Sequence, residues 1–188
     1  GKALAAAVTL DELLTARADG LALTAVLVFN TSMGADMLLA EAGMTALSQL
    51  KGQRIALEHS SVAEIMLAEI LREAGLKQSD VHLLRTPAAD HPNVWHRHAA
   101  DAFITYEPVA SQLLARGLVR LFDSRQIADT IVDVLAFHSD ALNAAHAEAI
   151  RHLLLCHFQA LDSLVRNPQD AAYRLSPRLA LPASDVLK

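Results

Sequence analysis

The sequence predicts an α/β fold built on a parallel sheet, and three observations carry that expectation. Short apolar runs alternate with helical segments from about residue 54 to residue 122; strands and helices in alternation mean βαβ units. The stretch QRIALEHSSVAEIMLAEILREAG, 53–75, reads as a buried strand, a serine turn and a capped helix ending at a glycine. The chain has 188 residues, enough for one or two small domains with a real core.

In order, residues 9–18 read as a short helix with Asp11 and Glu12 in its first turn. Residues 21–29, LALTAVLVF, read as a strand. A turn follows at 30–34, then an apolar piece at 36–39 and a polar connector at 47–52. Residues 54–58 form the next strand. Ser60 or Ser61 caps the helix after it, and Ser61 with Glu64 has the spacing of a capping box. Val62, Ile65, Met66, Ile70 and Ala74 share one helix face, and Gly75 is the expected left-handed stop. Strands are expected at 81–84, 101–105 and 118–122, with a less regular helical segment at 87–100. Pro108 suits the first residue of a helix that ends at Gly117. A last strand is expected at 131–137 and a long amphipathic helix at 139–166, ended by Asn167-Pro168. Pro177 and Pro182 fall in a short helix and tail.

Composition excludes several functions. Net charge is −5 with no basic run, which argues against nucleic acid. No run of 18 apolar residues is present, so a membrane-spanning helix is not expected. The one cysteine, Cys156, supports neither a disulfide framework nor a cysteine-rich metal site, and is expected as a small buried hydrophobe. His91, His96 and His98 with Asp90 raise a metal reading. His96 and His98 are two apart, so they do not share a helix face, and no second tight ligand pair accompanies them. Trp95, the chain's single tryptophan, could stack on a ligand and is expected rather in packing. No catalytic triad order, Walker loop or dinucleotide fingerprint appears. No cofactor is expected. At the first residues no leader with a cleavage site is read.

Five motifs together resemble a known family. They are Ser32-Met33-Gly34-Ala35-Asp36, Gln49-Leu50-Lys51-Gly52-Gln53, Ser60-Ser61, Ala74-Gly75-Leu76 with Asp80-Val81, and Asp101-Ala102-Phe103 with Tyr106-Glu107-Pro108. The layout resembles the periplasmic solute-binding proteins of ABC importers, in the branch for nitrate, sulfonate, taurine and thiamine precursors, over roughly residues 5–185. The resemblance implies a type II periplasmic-binding-protein fold of two lobes joined by a two-segment hinge. It places a partial first lobe at 1–50 and 131–188, and the second lobe at 53–123. Opening elements of the first lobe are expected to be missing, which raises a homodimer or swapped dimer. The family's glycine before Asp101 is replaced by His98-Ala99-Ala100. Crossovers are expected near 47–53 and 123–131.

Ligands of open α/β sheets sit beyond the carboxyl ends of the strands. On the implied fold that rule selects Ser60, Ser61, Tyr106, Glu107 and Arg125, with Ser32 and Asp36 facing them from the other lobe. Ser60, Ser61 and their helix N-terminus favour an anionic group. Arg125 suits a carboxylate or sulfonate. Glu107 and Asp36 favour a cation or hydrogen-bond donors, and Tyr106 with Glu107 would suit a nitrogen heterocycle. Each has a plain structural alternative: Glu107 and Asp36 as helix caps, Arg125 as a salt bridge. The resemblance implies capture of a small polar organic solute without bond chemistry, an ABC permease as partner, and a periplasmic or lipid-anchored location. The competing readings are a ligand sensor and an enzyme on the same fold. The related thiamine-pyrimidine synthases carry a cysteine-rich motif that a single cysteine does not supply.

Overall fold

The structure is a computed structural model and describes residues 3–187. Its elements are β1 (Ala5–Thr9), α1 (Leu10–Ala18), β2 (Leu23–Thr31), β3 (Asp36–Ala40), β4 (Arg54–Leu57), α2 (Ser61–Ala74), β5 (His82–Arg85), α3 (His91–His96), β6 (Ala102–Tyr106), α4 (Val109–Leu114), β7 (Val119–Asp123), β8 (Val132–His138), α5 (Ala147–Arg166), α6 (Pro168–Leu179) and α7 (Ala183–Val186). The chain divides into two compact units, Gly1–Phe29 with Asp133–Lys188, and Asn30–Val132.

The unit Asn30–Val132 holds a five-stranded sheet in the order β5-β4-β6-β3-β7. β4 is parallel to β5 and to β6, whereas β3 is antiparallel to both β6 and β7. The sheet is therefore mixed, not all-parallel. The exception is β3, DMLLA, whose five residues have no helix before them to make a crossover. It was expected in the first lobe, yet it lies between β6 and β7 in this sheet, with Leu38, Leu39 and Ala40 fully buried. The unit is accordingly wider than the expected 53–123. The chain passes between units within β2 and β8, not at the expected 47–53. Residues 47–50 are instead a 3-10 turn whose Leu50 is fully buried beneath α2.

Strand alternation sends side chains to two cores. Leu38, Ile55, Leu57, Ile104 and Phe122 pack against Met66, Leu67, Ile70 and Leu71 of α2. On the other face Leu39, Ala56 and Phe103 pack with Val94 of α3 and Ala110 and Leu113 of α4. The buried row of α2 is Ala63, Met66, Leu67, Ile70 and Leu71. It is turned from the expected row: Val62 and Ile65 lie at its margin, because Leu67 and Leu71 complete a stripe at offsets of three and four. Gly75 ends α2 at φ 68°, and the Leu76 amide reaches back to the Leu71 carbonyl at 2.9 Å, as expected of a left-handed stop.

The other unit holds a three-stranded sheet, β1-β8-β2, with β1 antiparallel to β8. β1 is absent from the sequence reading because AAAVT is mostly alanine, a weak strand former. Leu135, Phe137 and Ala141 form its core with Val26, Leu27 and Phe29, closed by Ile150 and Leu154 of α5. α5 has no fully buried residue. Cys156 is exposed on it, not buried as expected, because it points away from the Ile150 and Leu154 face.

Candidate functional site

Strand directions bring one set of residues to one edge. β5, β4, β6 and β7 all end on the same side of the sheet, and antiparallel β3 begins there. Glu58, Ser60, Ser61, Arg85, Tyr106, Glu107 and Arg125 follow or end those strands, and Ser32 and Asp36 precede or open β3. All seven residues expected at the site thus share this edge. Ser32 and Asp36 belong to the same unit as the rest and do not face them from another, because β3 pairs directly with β6: Asp36 lies opposite Tyr106.

The N-terminus of α2 sits at this edge. Ser60, not Ser61, is its cap: extended at φ −141°, it accepts the Ala63 amide on Oγ at 3.2 Å. The expected Ser61–Glu64 box does not form, since Ser61 is already helical and Glu64 pairs with Arg85. The amides of Ser61 and Val62 have no intrahelical acceptor at this position. The Ser61 Oγ is buried and, among the described residues, has no hydrogen-bond partner. Amides, an unpartnered hydroxyl and the positive end of a 14-residue helix therefore converge.

Four other expected residues are held by neighbours. Arg125 pairs with buried Asp123, Nη2 to Oδ2 at 2.6 Å and Nε to Oδ1 at 3.0 Å. That guanidinium holds the Asp123 carboxyl below the usual carboxylate range. Arg125 lies over Gly34, where an added Cβ would stand 3.1 Å from its Nε. Ser32 donates to Asp36 Oδ2 at 2.6 Å and shares a hydrogen bond with the Ser124 hydroxyl at 2.8 Å. Ser124 also accepts the Gly34 amide at 2.7 Å. Glu107 caps α4, taking the Ser111 amide at 3.0 Å and hydroxyl at 2.9 Å. The capping and salt-bridge alternatives raised from the sequence thus describe Glu107 and Arg125.

Tyr106 is more open, with its hydroxyl 3.4 Å from Glu58 Oε2. Burial pushes its phenol above the ordinary tyrosine value, and the Glu58 carboxylate adds to this. Glu58 was missed as a site residue; Asp123 and Ser124, which follow the strand expected at 118–122, hold Arg125 and Ser32 in place. Glu58 directly follows β4, so the strand-end rule reaches it once the strand is taken to close at Leu57.

The histidines separate. His91 is fully buried against Phe103, ring centroids 5.6 Å apart, and burial lowers its basicity. His96 lines an open depression with Asp90, Asn93 and Arg97, and His98 meets the edge of Trp95. Trp95 packs against Phe103. Among the described residues no three His, Cys, Asp or Glu side chains are grouped to hold a metal, and no helix is long and apolar enough to cross a membrane.

A family model described as NMT1/THI5 like matches residues 1–171. A curated relative, an aliphatic sulfonates-binding protein of Escherichia coli (strain K12), is 28% identical over 139 residues, 72% of this chain and 42% of its own. The crystal structure of the periplasmic aliphatic sulphonate binding protein SsuA from Escherichia coli superposes with a TM-score of 0.80 at 24% identity, over 98% of this chain and 64% of that one. The alkanesulfonate-binding protein SsuA from Xanthomonas axonopodis pv. citri, bound to MOPS, gives 0.82 at 22% identity, over 97% and 63%. The chain spans less than half the length of the curated relative and under two thirds of these two solved ones. The structural likenesses establish the type II periplasmic-binding-protein fold.

Proposed function

The chain belongs to the NMT1/THI5-like family, and from that premise we propose that it captures a small organic anion of the sulfonate type as the binding component of an ABC importer. The anionic head would be anchored at the N-terminus of α2. One observation carries this reading: the Ser61 hydroxyl is buried, without a hydrogen-bond partner, among the free amides of a helix N-terminus at the ligand-binding edge of the sheet. A sulfonate has three acceptor oxygens, and this spot supplies donors and positive potential.

The sulfonate class is suggested by the curated relative and the two solved ones. Delivery to a permease outside the cytoplasmic membrane follows from the importer role. Arg125 and Glu107, both engaged within the unit, would shape the edge, and Asp36, Ser32 and Tyr106 would complete its lining.

The test is thermal denaturation with a series of alkanesulfonates, paired with chromatography of the recovered ligand. A saturable rise in melting temperature with the ligand recovered intact is expected. No shift with any sulfonate would overturn the reading, and recovery of a converted ligand would favour an enzyme.

A further inference from the structure

The longest helix carries an apolar stripe that nothing among the described residues covers. α5 turns Ile150 and Leu154 to its own sheet, and His157 continues that line against Phe29, ring centroids 5.3 Å apart. About a quarter turn around the helix runs a second line. It is made by Arg151, Leu155, Phe158, Asp162 and Val165, spaced by four and three in alternation. All five are exposed, Phe158 at 57% and Val165 at 76%. That alternation is the seam by which one helix packs along another. α5 thus has two seams, one in use and one bare.

The order of charges along the bare seam identifies its occupant. Arg151 comes before the apolar pair Leu155 and Phe158, and Asp162 comes after it. A parallel second copy would set Arg151 against Arg151 and Asp162 against Asp162, like against like. An antiparallel copy sets Arg151 against Asp162 at both ends, with Leu155 against Phe158 between them, all in one register. Along the flank, that register brings Glu148 to within one residue of Arg166 on the second copy. Within one chain these four charges are held only by exposed neighbours on the same helix, Arg151 with Glu148 at 3.5 Å and Arg166 with Asp162 at 2.8 Å. Such exposed pairs contribute little and leave each group free for a second partner. Two arginines against two carboxylates also leave this face without the basic excess that an anionic membrane would attract. Two helices packed along this length bury on the order of 1,000 Å² in total, the lower limit for a specific interface.

We propose that this face of α5 is a homodimer interface, in which α5 packs antiparallel on α5 of a second copy about a two-fold axis level with Cys156 and His157. A two-fold interface is self-complementary, so each contact occurs twice. Leu155 and Phe158 fill its centre, and the Arg151–Asp162 pairs close its ends and fix its register. No segment is exchanged, which separates this pairing from the swapped dimer raised from the sequence. The interface is independent of the anion site at α2.

Sedimentation equilibrium of the intact chain tests this, with circular dichroism to show that each variant keeps its helix content. A single step from one copy to two at micromolar concentrations is expected. Phe158→Glu puts two carboxylates in the apolar centre and should weaken pairing by about tenfold or more. Asp162→Arg sets arginine against Arg151 and should also weaken it. Adding Arg151→Asp to that variant restores the opposite charges in reverse and should recover most of the parent's affinity. One copy throughout the concentration range, growth past two copies, or pairing unchanged in Phe158→Glu overturns the interface. Pairing unchanged in Asp162→Arg, or no recovery in the doubly exchanged chain, overturns the antiparallel register.

Discussion

Ser60 and Ser61 are neighbours of identical chemistry, and the structure gives them opposite energetic roles. Ser60 Oγ accepts the Ala63 amide, so Ser60→Ala removes a helix cap. Such a loss costs about 1 kcal/mol, while Ser60→Gly costs only a few tenths. Ser61 Oγ is buried and unpartnered, so Ser61→Ala removes a polar atom that already carries a desolvation cost. Alanine is also the better helix former at this first helical position. Ser61→Ala should therefore be as stable as the parent or more so, by about 0–1 kcal/mol. Binding should show the reverse emphasis. A hydrogen bond to a charged group contributes about 1.5–3 kcal/mol, so losing the Ser61 hydroxyl should weaken sulfonate binding by about tenfold to a hundredfold. Urea denaturation gives the first quantity and titration calorimetry the second. A Ser61→Ala protein that loses about 1 kcal/mol of stability and keeps its affinity would refute the reasoning, since Ser61 would then be the cap.

Further outcomes follow from the same packing. Ile70→Ala, at a fully buried position under the sheet, should lose about 2–5 kcal/mol in urea denaturation. Gly34→Ala should lose about 1–2 kcal/mol, because Gly34 has φ 100°; the added methyl also crowds Arg125, so the Arg125–Asp123 pair should loosen. Burial lowers the His91 pKa, so the unfolded chain binds a proton there before the folded one does. Stability should then fall as pH drops below about 6.5, the ordinary histidine value, towards the lower folded value. Urea midpoints at stepped pH should show that slope in the parent and a flatter one in His91→Leu.

Much of this fold is legible in the sequence because local signals agree with it. The strand, serine turn, helix and Gly75 stop of 54–75 form nearly where expected, since cap, periodicity and terminator point the same way. β3 is different. Its five residues carry no sign of the direction in which they pair, and only tertiary context makes them an antiparallel strand between β6 and β7. That one strand moved Ser32 and Asp36 into the same unit as Ser60. β1 escaped for a compositional reason, as alanine-rich runs give no strand signal.

At the site, the strand-end rule found the edge, and side-chain pairing decided which residues remain open on it. Arg125 and Glu107 are chemically suited to a ligand, but each has a partner within four residues in sequence, Asp123 and Ser111. Glu58 was passed over because a carboxylate next to a strand reads as part of the strand's polar margin.

The central claim is that an anion binds at the N-terminus of α2, and its most direct test is a titration of the isotopically labelled chain with an alkanesulfonate, followed by amide resonances. Saturable shifts concentrated at the amides of Ser61, Val62 and Ala63, and weakened in Ser61→Ala, are predicted. Shifts centred on other elements, or none at those three amides at saturating sulfonate, would contradict it.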